Sequence, residues 1–183
     1  EGAAMGVELD ALTAEQTALA SAAAVLAGPF RPEDAAQISG LGLAGTLDAL
    51  DELARADVIR HVAPGARFAF RHPLLGHVAH ERASLPTLLA AHRRALDLLS
   101  TRGAGAADLA RHAEHLVGAD GAAAAPLLAR GAVEILPDAP ATAVRWLGLA
   151  LQTPVGERPS AERAALMLEC CRALSAAGRF EEA

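Results

Sequence analysis

Residues 68–83, FAFRHPLLGHVAHERA, gather the side chains most able to do chemistry: Arg71, His72, His77, His80 and Arg82. Imidazole is the commonest metal-binding side chain and the usual acid or base near neutral pH. His77 and His80 stand three apart, as do His112 and His115 further on, so each pair shares one face if its segment is helical. A zinc-protease motif needs a glutamate between two histidines four apart. In HVAHE the glutamate, Glu81, lies outside the pair, and in HAEH the spacing is one residue too short for the inverted motif. Two ligands per helix also fall short of the three or four that a zinc site takes. Both pairs therefore read as surface or partly buried histidines, and no metal site is expected.

Nucleophilic chemistry finds no better footing. There is no Gly-x-Ser-x-Gly elbow, and Cys170 and Cys171 sit in an amphipathic run with Leu166, Leu168 and Leu174, where a cysteine serves as a small apolar side chain. All 16 basic residues are arginine. Without a lysine the chain has no P-loop to hold a nucleotide's phosphates and no Schiff-base nucleophile. No enzymatic activity is expected of it, and no catalytic residue is assigned.

His72 stands apart from the other histidines. Pro73 forces it into extended rather than helical backbone, so it marks a step from strand to helix. An imidazole held there either projects toward a neighbouring module or packs under the preceding strand. Arg71 beside it is a second group able to meet an anion.

The elements that carry this step are mostly helices. Thr13 and Gln16 form a capping box opening a helix that Gly28-Pro29 stops. Pro32-Glu33-Asp34 starts a short second helix to about Ser39, and a third covers about 43–55 with Leu43, Leu47, Leu50 and Ala54 on one face. The period then changes. Val58 to Val62 and Arg67 to Arg71, joined by Ala63-Pro64-Gly65-Ala66, read as a β-hairpin. Beyond it lie helices at about 73–83, 86–102, 106–117, 122–136, 139–152 and 160–177.

The expected fold is mainly α: a winged-helix domain of three helices plus a β-hairpin over 1–84, with an N-terminal tail, then tetratricopeptide-like antiparallel helical hairpins over 85–183. A net charge of −6 and a third helix bearing Asp48, Asp51 and Glu52 against Arg55 argue against reading DNA, which demands clustered cations. Arg60, Arg67 and Arg71 make only a weak basic edge on the hairpin. No uninterrupted apolar run reaches the roughly 18 residues of a membrane span, no leader pattern is present, and the two cysteines are adjacent, which together suit a cytoplasmic protein. Charged residues at Glu181 and Glu182 suggest that the chain is a piece cut within a repeat.

The run Phe68-Ala69-Phe70-Arg71-His72-Pro73-Leu74-Leu75, between a three-helix unit and Ala-rich helices ending in Ala-Gly-Arg-Phe-Glu-Glu-Ala, resembles the middle of large LuxR-type ATP-binding transcriptional regulators, members of the STAND ATPases. The resemblance covers about Leu12 to Ala183. It implies a winged helix that packs on a nucleotide-binding module of the same chain, with a histidine touching the β-phosphate of ADP. His72 corresponds to that histidine and Leu74 to the leucine of the family's Met-His-Asp-Leu step, while Arg71 replaces the methionine and Pro73 the aspartate. Arg71 shares or takes over the contact on this view. The implied role is to couple nucleotide state to a helical region that meets a small-molecule or protein inducer, with ATP or ADP in the parent protein and no cofactor in this piece. The rival readings are a DNA-binding winged helix and a plain repeat scaffold for protein partners.

Overall fold

In the computed structural model, residue 9 and residues 11–62, 65–153 and 160–178 are described. The chain is mainly helical, with one two-stranded antiparallel sheet. It divides into two compact units, Glu1–Leu98 and Leu99–Ala183.

The first unit is built around helix α1, Ala14–Leu26. Its capping box forms as expected, the Gln16 amide donating to Thr13 Oγ1 at 3.3 Å and the Thr13 amide to Gln16 Oε1 at 2.8 Å. α1 is apolar nearly all round, so it can be covered on more than one side. Leu19, Ala20 and Ala23 join one core cluster, and Ala22 and Val25 join a second. Helix α2, Pro32–Ser39, starts on its proline and ends at Gly40, whose φ of +82° only glycine adopts freely. Arg94 closes that end, its Nη1 donating to the carbonyls of Ile38 and Ser39 at 3.1 and 3.0 Å.

Helix α3, Gly42–Arg55, buries Thr46, Ala49, Leu50 and Leu53. The sequence reading placed Leu43, Leu47, Leu50 and Ala54 inward. Only Leu50 is buried, because the helix is turned so that Leu43, Leu47 and Ala54 face water. Thr46 tolerates burial by donating its hydroxyl to the Gly42 carbonyl at 2.7 Å.

Strands β1, Ile59–Val62, and β2, Arg67–Phe70, pair antiparallel with Ile59 opposite Phe70 and Val62 opposite Arg67. Ala63 and Pro64 of the expected turn lie outside the described residues. Phe30 pairs with Phe68 along the other edge of β2 through two 2.8 Å backbone bonds, so β2 is flanked on both sides. Helix α4, Pro73–Arg82, follows directly and packs Leu75 and Ala79 inward, lying against α1. Helix α5, Leu85–Thr101, opens under Ser84, whose Oγ accepts from the Thr87 amide, and sets Ala91, Ala95 and Leu98 against Ala22, Val25 and Ile38.

The second unit is a run of helices, each packed on the next: α6, Ala106–Ala113; a 3-10 turn, Glu114–Leu116; α7, Val117–Ile135; α8, Pro140–Gln152; and α9, Ser160–Ala176. Asp120 leaves helical geometry inside α7 (φ −152°, ψ 64°), and its carboxylate accepts from the Ala123 amide, so it caps the long part of the helix. Ala106–Ile135 is the only stretch among the described residues apolar and long enough to cross a membrane, and this break divides it. Close packing comes from small residues. A Cβ on Gly131 would lie 2.3 Å from Ala110 Cβ and 2.7 Å from the Ala106 carbonyl oxygen.

In α9, Ala173 and Leu174 are buried while Leu168 is exposed, so the expected stripe of Leu166, Leu168, Cys171 and Leu174 is only partly the inward face. Both cysteines are half-buried and outside any disulfide. Gly178 adopts a φ of +76° beyond the helix, and Arg179 to Ala183, the rest of the expected repeat junction, lie outside the described residues.

Candidate functional site

The site grows from the way α3 ends. Val58 donates its amide to the Leu53 carbonyl at 2.9 Å and Asp57 to that of Ala54 at 3.0 Å, the double bond pattern that closes a helix with one left-handed residue. Glycine usually fills that place, yet here it is Asp57 at a φ of +55°. Its carboxylate accepts from Arg60 at 2.8 and 3.0 Å and from Arg71 at 3.0 Å. Hydrogen bonds from Arg60 and then Arg71 hold its pKa at about 2, below the usual carboxylate range, and the same pairing raises that of Arg60. The Arg71 amide also donates to the Val58 carbonyl at 3.0 Å. Backbone and side chain thus tie Arg71, the residue that follows β2, to the end of α3.

That tie decides how the two candidate anion-binding residues differ. Arg71 is half-buried with its guanidinium engaged by Asp57. His72 is exposed and extended (φ −137°, ψ 137°), and its Nδ1 accepts from the Leu74 amide at 3.2 Å, which makes it the cap of α4. A neutral imidazole with Nδ1 accepting carries its hydrogen on Nε2. The distal nitrogen is therefore a donor, fixed in direction by the cap.

Beside the cap lies a groove of about 400 Å³ within the first unit, lined by Ala24, Ala27, Phe70, Pro73, His77 and His80 among others. Gly76 lets the Phe70 ring lie close against α4, since a Cβ there would sit 3.0 Å from it. The helix-sharing histidines do not act together. His77 Nε2 pairs with Glu81 at 3.2 Å, whereas the His80 ring meets His92 edge-on at 5.9 Å. In the second unit His112 is buried and burial pushes its pKa down to about 4, while His115 is exposed.

The electrostatics of a DNA reader are weaker than the residue list suggested. Asp48, Asp51 and Glu52 all face water on α3, and Arg60 and Arg71 of the hairpin are turned onto Asp57, leaving Arg67 exposed. The pairing of Asp57 with Arg60 and Arg71 is what sequence reasoning missed. Its signal was an aspartate, rather than a glycine, two places after the last helical residue and three before an arginine.

No family model matches the chain, and no curated protein or solved structure matches it.

Proposed function

We propose that this chain is a coupling piece of a nucleotide-gated regulator, in which a winged-helix unit carries a sensor histidine and a tetratricopeptide-like stack meets the inducing partner. The reading rests on one observation: an exposed His72 whose Nδ1 is occupied by the helix cap, leaving Nε2–H as an aimed donor. Such a donor suits a phosphate oxygen. Contact with ADP in one domain arrangement and not in another supplies the difference in affinity that a switch needs.

Other features support the reading. The order α1, Phe30, α2, α3, β1, β2, with β2 between Phe30 and β1, agrees with a winged helix. Successive packing of α6 to α9 agrees with a helical-repeat stack, whose extended surface suits a partner. The acidic exposed face of α3 favours a protein-coupling role over DNA reading. With no lysine, the nucleotide itself belongs to another module, and Asp57 and Arg71 hold the histidine's platform rather than the ligand.

The test is nucleotide retention by the polypeptide that joins this chain to its nucleotide module. ADP should co-purify with it and be lost from His72→Ala. A polypeptide that carries no nucleotide, or a variant that keeps its ADP undiminished, refutes the proposal.

A further inference from the structure

Helix α3 carries two apolar stripes, and the fold uses one. Thr46, Ala49, Leu50 and Leu53 face the core, while Leu43 and Leu47, one turn apart, are 48% and 45% exposed. Single exposed leucines are ordinary, but a second stripe along one helix is the pattern of an element covered on both sides. Asp48 and Asp51 flank Leu47 on its C-terminal side. Neither aspartate has a salt bridge or hydrogen bond among the described residues.

Charge selects the occupant. Nucleic acid and anionic membrane would each set phosphates against these aspartates. A second copy docked through the same face would bring more carboxylates than cations to the contact, since α3 offers Asp48, Asp51 and Glu52 against Arg55 alone. We infer that the outer face of α3 is a docking site for a basic amphipathic helix of another protein, its apolar ridge packing on Leu43 and Leu47 and its lysines or arginines meeting Asp48 and Asp51. The two leucines give the contact area, and the carboxylates choose the sign of the partner. This surface is separate from His72 and does not depend on its role.

Two synthetic 18-residue helical peptides test it on the full chain. Both carry one leucine stripe, flanked in one by lysines and in the other by glutamates, and binding is read by fluorescence anisotropy. The lysine peptide should bind at least about tenfold more tightly than the glutamate one. Leu43→Ser/Leu47→Ser should abolish that binding while leaving the melting temperature within about 3 °C, as surface changes do. Asp48→Asn/Asp51→Asn should reduce the preference toward parity. Diffuse attraction to a chain of net charge −6 would survive loss of the leucines, and that result overturns the inference. Equal binding of both peptides to the unmodified chain does so too, as does self-association that the leucine substitutions abolish.

Discussion

The two units share an alanine-rich sequence but hold their shape by different means. The first relies on polar locks at the ends of its elements: the Thr13–Gln16 box, the Arg94 closure of α2, and Asp57 between Arg60 and Arg71. The second relies on close contact between small residues, as at Gly131 against α6, with Glu114 accepting from Arg145 and Trp146 at one corner. Polar locks leave side chains such as His72 exposed yet directed. Close packing leaves little to spare, and its cost falls on volume and charge inside. The single tryptophan, Trp146, reports on the second unit alone, so the two can be followed separately.

The largest effect should come from adding volume. In Gly131→Val the new carbons meet Ala110 Cβ and the Ala106 carbonyl, and a backbone atom cannot step aside as a side chain would. The second unit should lose about 3 kcal/mol or more. Urea unfolding followed by Trp146 fluorescence should show this loss, with the first unit's share of the circular dichroism transition unmoved.

Acid should separate the units next. His112 is held neutral in the fold, with a pKa of about 4 against an ordinary 6.5. Between those values the unfolded chain binds the extra proton, so stability falls as pH falls, by up to about 3 kcal/mol in the second unit. Asp57 has the opposite cause and a lower window. Its pKa of about 2 gives the first unit stability that is present above the ordinary 3.8 and lost between there and about 2. Trp146 fluorescence should therefore report unfolding at a milder acidity than the first unit's helices show, and His112→Leu should flatten that response.

A smaller effect tests Asp57 itself. Asp57→Ala removes both arginine contacts and keeps a Cβ in left-handed backbone, whereas Asp57→Gly removes the contacts and relieves the backbone. The glycine variant should melt a few degrees above the alanine one. If the two melt together, the left-handed position carries no strain.

Caps were legible in the sequence because they are local. Thr13 and Gln16, Pro32, and the His72-Pro73 step each declare a helix start within four residues. The hairpin was legible through alternation from Arg67 to Arg71. The inward face of α3 was not, because Leu43, Leu47 and Leu50 fit a helical stripe as well as Ala49, Leu50 and Leu53 do, and only contact with α1 and α2 chooses between them. The Asp57–Arg71 pair joins residues fourteen apart, and nothing short of the folded hairpin brings them together. For the site, the extended step at His72 could be anticipated from Pro73, but whether its ring would be exposed or packed under the strand could not, nor that Arg71 would turn onto Asp57.

The smallest effect is the one that separates capping from sensing at His72. His72→Ala removes the acceptor for the Leu74 amide and should cost about 0.5 kcal/mol, the low end for a lost cap. Asparagine is among the best caps, so His72→Asn should restore that acceptor and match or slightly exceed the native melting temperature. It carries no donor at the reach of Nε2. If both variants release ADP from the nucleotide-bearing polypeptide while only the alanine melts early, the imidazole's distal nitrogen holds the phosphate. If the asparagine variant keeps its ADP, the histidine matters only as the start of α4.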